Sequence, residues 1–500
     1  MEATMEKLIY EHLVPVWSGN SRQEAAEDCV VPDTMPDVGV ILDAEGYVIL
    51  RSKEAETGFV QLSASVSCWV LYAPEEGGSP RSLEITLPLE LRLDAPAVDI
   101  ECRPVAKIRL RNLEARTVNS RKIALRAEAE SEVQCYRKQN LELPAGLAAA
   151  EKGVEVLRQS AEILPVADVR EKTFVAADDY ALPAGCSHVE SILTRRAEAV
   201  LDDVKYVDGN ALFRGRVVSE LLLAGEGGRL FPVRCETDFS QIMEIGGGEE
   251  ARPQVILMLT GVFYDLPEFG RDQSRIGAEI HIAAQCVCRS RQELRYIGDI
   301  YSTRTQLIPV SESLRVLSGV SQVSVRQTVT GRAESVPAGG ELIRACAAVG
   351  GISLEDNTVK TAVNARLLFR SGDGVLSSVR CRFSAELTAS EVPEGAVLQD
   401  IRVEIVDIYA GMNAGGADVR AVLQMDAAAV TERSIVYVSA VEEDADEGRS
   451  LPRAPSVTLV RVPEQKDMWE LAKRYRSTSR AILEANEGRK EGLLLIPKGR

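Results

Sequence analysis

The stretch LSASVSCWVLYAPEEGGSPRSLEITLPLELRL, residues 62–93, alternates apolar and polar residues on both sides of a turn-forming run. Leu62, Ala64, Val66, Cys68, Val70 and Tyr72 fall on one face of an extended chain. Leu83, Ile85, Leu87, Leu89, Leu91 and Leu93 fall on one face of the next. A period of two marks a half-buried strand, because successive side chains point to opposite sides of a sheet. Ala73-Pro74-Glu75-Glu76-Gly77-Gly78 supplies the proline and glycines of a turn, so the pair is predicted to be an antiparallel hairpin.

The unit recurs. Phe213–Leu223 leads into Ala224-Gly225-Glu226-Gly227-Gly228, after which Phe231, Val233, Cys235, Thr237 and Phe239 alternate with polar residues. Val359–Phe369 leads into Ser371-Gly372-Asp373-Gly374, and Val375–Leu387 follows. Other landmarks keep step: Pro32 is followed six residues later by Val38, Pro183 by Val189 and Pro337 by Ile343. Pro32 and Pro183 are 151 residues apart, as are Gly77 and Gly228. Further alternating strands close each copy, at Ile123–Cys135, Ala278–Cys288 and Val419–Ala427. The expectation is a mainly β chain of three repeated antiparallel β-sandwich-like modules, each about 140 residues long, over 1–139, 163–300 and 301–440. Residues 140–162 are rich in alanine and glutamate and read as a connector, either a helical insertion or a long connection. The third copy departs from the pattern, with Cys346 and Ala347 after Ile343 where an Ile-Leu pair is expected.

Beyond the third module the chain changes character. Val441-Glu442-Glu443-Asp444-Ala445-Asp446-Glu447 is an acid run, and Gly448–Ser456 holds two prolines, so 441–456 reads as an extended linker that lets the remainder move independently. Over 457–500 the pattern becomes strand, helix, helix, strand. Val457–Val462 alternates, and Met468, Leu471, Ala472 and Tyr475 recur at the spacing of one buried helical face. Ser477 and Thr478 offer capping oxygens for a second helix over Ser479–Ala485, and Leu493–Ile496 closes as a strand before Pro497. Trp469 opens the amphipathic helix and is expected in its core.

Composition narrows the function. The chain has 500 residues, 45% hydrophobic and 27% charged, which is globular composition and enough for several domains. No run reaches the about 18 apolar residues of a membrane-spanning helix. Met1–Val16 lacks a basic-then-apolar signal pattern, so export by the usual route is not expected. Ten cysteines fall mostly singly on apolar strand faces, Cys286 and Cys288 sharing one face, so reduced thiols in a cytoplasmic setting are expected. A net charge of −17 argues against nucleic acid as a partner. The last 44 residues reverse that bias, with ten Lys or Arg against six Asp or Glu, which suits an acidic partner surface. No Gly-x-Ser-x-Gly, P-loop or His-Glu-x-x-His pattern is present, and Gly246-Gly247-Gly248 has no following lysine. His12, His188 and His281 lie far apart, leaving few general bases and no metal-ligand cluster. The chain is expected to be non-catalytic, without cofactor or metal.

The βααβ order, with DMWELAKRY at 467–475, ILEAN at 482–486 and LLLIPKG at 493–499, closely resembles a LysM domain. LysM domains usually carry Gly-Asp-Thr-Leu-Trp before the first helix. Here Gln465-Lys466-Asp467-Met468-Trp469 keeps the tryptophan and loses the glycine that lets the loop approach a ligand. With the Pro-x5-Val openings, ILDAEGYVIL at 41–50 and VLYAPEEG at 70–77, the whole chain resembles the clostridial SipL-like spore-coat morphogenetic proteins. That resemblance implies a scaffold in the mother-cell cytoplasm, at the forespore surface, whose LysM module docks onto a polymerising coat ATPase of the SpoIVA kind. The alternative is a peptidoglycan-binding protein of the wall or spore cortex, using the same module for N-acetylglucosamine polymers. Either reading places contacts on two loops: Glu464, Gln465, Lys466, Asp467 and Met468 on one, Asn486, Glu487, Arg489 and Lys490 on the other.

Overall fold

The alternating segments of the body are strands throughout. A computed structural model describes residues 5–498 except 149–152, 187, 249, 267–274, 335, 338, 414–415, 444–454 and 465–466. The first repeat comprises β1 (Met5–Val30), β2 (Val38–Glu56), β3 (Phe59–Pro74), β4 (Arg81–Asp94), β5 (Arg103–Asn119) and β6 (Lys122–Leu147). The second comprises β7 (Val154–Ile163), β8 (Val166–Ala181), β9 (Val189–Val207), β10 (Asn210–Gly225), β11 (Leu230–Glu244), β12 (Arg252–Asp265), β13 (Arg275–Arg289) and β14 (Gln292–Ser302). The third comprises β15 (Leu307–Glu334), β16 (Glu341–Val349), β17 (Ser353–Glu355), β18 (Thr358–Arg370), β19 (Leu376–Thr388), β20 (Ala396–Asn413) and β21 (Gly416–Glu443).

All three repeats are wired alike. One antiparallel sheet is β2-β3-β4, then β9-β10-β11, then β16-β18-β19. The other is β1-β6-β5, β8-β13-β12 and β15-β21-β20, with β7 and β14 of the second repeat paired as a separate two-stranded ribbon. The first two of these join where Leu13 pairs with Val166, giving six strands. In the first hairpin Val70 stands opposite Leu83 and Cys68 opposite Ile85, so both apolar faces point the same way. Each of the named residues from Leu62 to Tyr72 on that face is at most 2% exposed. They share one core with Leu87 and Leu89 of β4 and with Leu125, Ala127 and Val133 of β6. The other face of β3 is covered as well: Trp69 packs with Tyr47, Phe174 and Tyr264, which ties the first repeat to the second. Burial on both faces explains why Trp69 and Leu71 interrupt the polar half of the alternation.

Residues 140–147 and 154–162 are strand, not the helical insertion or connection expected over 140–162. Asn140–Leu147 completes β6 by pairing with Met5–Glu11, and Val154–Ile163 pairs with β14. Helix propensity favours Ala and Glu by only tenths of a kcal/mol per residue. Burial of Leu143, Ala161 and Ile163 in one cluster with Leu294 and Tyr296 outweighs it. The repeat boundaries shift accordingly, since the second repeat begins with β7 and ends with β14. Val441–Glu443 finishes β21, and most of the linker expected over 441–456 lies outside the described residues.

Candidate functional site

After the body come β22 (Val457–Val462), α1 (Met468–Arg474), α2 (Ser479–Ala485) and β23 (Gly492–Pro497). Each short helix starts because a side chain satisfies an otherwise free amide. Asp467 accepts from Trp469 N at 2.8 Å and Thr478 Oγ1 from Ala481 N at 3.0 Å. Lys473 and Arg474 in the last turn of α1 complement the helix dipole. β22 and β23 pair antiparallel, Val457 opposite Pro497 and Val462 opposite Gly492. Val462, Leu471, Ala472, Ile482, Leu494 and Ile496 form the core between strands and helices.

That core includes a residue from the body. Tyr301 of β14 is 5% exposed, belongs to the same cluster, and donates its hydroxyl to Ser477 O at 2.9 Å. Its ring meets Trp469 edge-on, with centroids 4.8 Å apart. Beside it, Asp299 accepts from Trp469 Nε1 at 2.7 Å and from Lys473 Nζ at 2.7 and 2.6 Å. A bulge between Ile297 and Asp299 interrupts the β14 ladder at this point, and such irregularities re-aim side chains. The end-module is therefore seated on the body, contrary to the expectation of independent movement. Trp469 is only half-buried and forms part of the seat, where the sequence reading placed it in the interior. Nothing in the β14 sequence marks Asp299 or Tyr301 as partners of a segment some 170 residues away.

The structure sorts the two expected contact loops. Asp467 is committed to capping and Met468 packs against the core. Asn486 is a latch: its amide donates to Ile482 O and Leu495 O and accepts from Leu495 N, so it has little capacity left for a ligand. Glu464, Glu487, Arg489 and Lys490 are exposed. Gln465 and Lys466 lie outside the described residues.

A second constellation lies where the three repeats meet. Leu42, Leu71, Leu193, Leu222 and Leu368 share one cluster, with Ile343 packed against it. Leu42, Leu193 and Ile343 occupy equivalent places in β2, β9 and β16, each just before the residue that pairs with Leu71, Leu222 or Leu368, although matching the copies at their prolines sets Ile343 against Val38 and Val189. Alongside them come Asp43, Thr194 and Arg344, then Glu45, Arg196 and Cys346. Arg344 Nη1 donates to Glu45 Oε2 and to Thr194 Oγ1, both at 2.8 Å, and Arg366 Nη1 lies 2.9 Å from Asp43 Oδ1. Burial raises Asp43, with Arg366 opposing. Burial would also raise Glu45, but Arg344 and Arg366, with hydrogen bonds from Arg344 and Thr194, together outweigh it and hold that carboxyl down at about 2. Asp43, Glu45 and Cys346 bring their ligand atoms within 4.8 Å of one another, yet the positive charge such a group calls for comes from two guanidinium groups. Cys346 and its neighbours, the departure noted in the third copy, thus belong to an inter-repeat ion cluster.

These contacts define a mainly β repeat protein with a small βααβ module seated at the tip of one β ribbon. No protein-family model, curated protein or solved structure matches the chain.

Proposed function

We propose that the chain is a non-catalytic scaffold for spore-coat assembly, built from three sandwich-like modules and a LysM-type end-module. In this reading it works in the mother-cell cytoplasm at the forespore surface. The end-module docks there onto a polymerising coat ATPase of the SpoIVA kind. One observation carries the reading: α1 of the end-module already recognises a protein surface, engaging Asp299 and Tyr301 through Trp469 and Lys473. The module's exposed Arg489 and Lys490 then remain available for an acidic partner, while Asn486 is withdrawn into the fold. A stable body carrying such a module raises the effective concentration of each further weak contact in a layered coat.

The test uses the full chain immobilised against a sporulating-cell lysate, with purified peptidoglycan in a parallel sedimentation assay. Retention of a coat ATPase that falls at least fivefold in the Arg489→Glu/Lys490→Glu variant is the expected result. Sedimentation with peptidoglycan, competed by N-acetylglucosamine oligomers, would replace the scaffold reading with glycan binding.

A further inference from the structure

Beside the inter-repeat ion cluster lies a cavity of about 600 Å³, lined by β2 and β5 of the first repeat, β9 and β12 of the second, and β16 and β20 of the third. Lys107 and Arg109, two apart on β5, share one face and line it together. Among the described residues neither has an ion-pair or hydrogen-bond partner. Their cationic neighbours are engaged: Arg111 pairs with Glu130, and Arg402 with Glu404.

The fold does not require these cations. In the second repeat, 151 residues along the chain, Met258 stands opposite Ala283 as Lys107 stands opposite Glu132, and Met258 lines the same cavity. The Lys107 position therefore accepts an apolar side chain, and placing charge there costs desolvation without assisting assembly. Burial, reinforced by Arg109, pushes the Lys107 amine down to about 7, as expected of a cation without a fixed counter-ion. Burial also lowers Arg109. The acidic part of the lining is complementary. Glu132 stands across the ladder from Lys107, and Asp400 accepts from Gln254 at 2.9 Å with its second oxygen to spare. Cations for an oxyanion thus sit beside carboxylates able to accept from hydroxyl groups.

We infer that this cavity is a binding site for a small phosphorylated polyol, the sugar-phosphate class. Lys107 and Arg109 hold the phosphate, and Glu132 and Asp400 face the hydroxyl-bearing part. The site is independent of the end-module.

The test is titration of the full chain, by calorimetry and thermal shift, with glucose 6-phosphate, inorganic phosphate and glucose. Saturable binding of glucose 6-phosphate, weaker binding of phosphate and none of glucose is the expected order. Lys107→Met/Arg109→Leu, whose first change copies the second repeat, should weaken glucose 6-phosphate at least tenfold, since each charge-assisted hydrogen bond lost is itself worth about that much. Arg109→Gln alone provides a milder variant and should weaken it severalfold. No binding of either phosphate compound, or binding unchanged in both variants, overturns the proposal.

Discussion

Replacing Asp299 by alanine should unseat the end-module. Its carboxylate accepts three hydrogen bonds from α1, one from Trp469 and two from Lys473. Bonds to a charged group contribute about 1.5–3 kcal/mol each where water is excluded, and an exposed ion pair contributes about 0–1 kcal/mol. The Asp299 side chain is 17% exposed and that of Lys473 35%, so the tryptophan bond counts nearly in full and the lysine pair must be discounted for screening. A loss of about 2–3 kcal/mol follows, which shifts the seated equilibrium about 30- to 150-fold. Tyr301 keeps its ring contact and its bond to Ser477, so some docking remains. Hydrogen exchange reads the change directly. Peptides covering α1 and the end of β14 should exchange faster in Asp299→Ala, while those from β3 and β10 stay as in the parent chain. Lys473→Ala added to Asp299→Ala should contribute little more, because the two changes remove the same contact. Unaltered exchange in α1, with the body intact by circular dichroism, would refute the docking argument.

Arg344→Met leaves Glu45 and Asp43 buried with one guanidinium between them, and the cost of such an orphaned charge is about 3–5 kcal/mol. Thermal unfolding should show a large drop that Glu45→Gln partly restores. Lys107→Met should raise the melting temperature in a pH-dependent way. The amine's folded value of about 7 lies below its ordinary value near 10.5, so the folded state binds fewer protons between those limits. The penalty for burying the ammonium is complete below pH 7 and fades towards pH 10.5, and the gain from methionine should fade with it. Burial and Arg109 set that direction, while Glu132 and Asp400 oppose it.

The hairpins were legible because their strands expose one face to a core and the other to polar surroundings, as Leu83–Leu93 does almost without fault. The repeat spacing was equally plain, and between the first two copies it extends to the shared centre, where Asp43 and Thr194 are 151 residues apart. Aligning the copies at Pro32 and Pro183 places Asp43 with Thr194. Arg344 comes too soon after Pro337 to align with them, and only the ladder, with Arg344 opposite Leu368 as Asp43 is opposite Leu71, brings it to the same place. The long ribbons were harder to read. β1 and the far half of β6 are mostly exposed or half-buried, so no apolar face marks them, and the Ala/Glu content of 140–162 favoured a helix where cross-strand pairing decides the outcome. In the end-module the element order was readable from caps and periodicity. The seat was not, because it depends on two side chains of a distant strand and on a bulge that turns one of them outward.

The mixed charge at the shared centre also bears on how the repeats combine. Three identical copies of the first would bring three Asp43 and three Glu45 side chains to one dry point, and three of the third would bring three arginines. Only an assortment of acid, hydroxyl and base closes there. The residues that distinguish the copies act as a key, so the body is a heterotrimer written in a single chain, and exchanging one repeat for another should break it even though each alone has the same wiring.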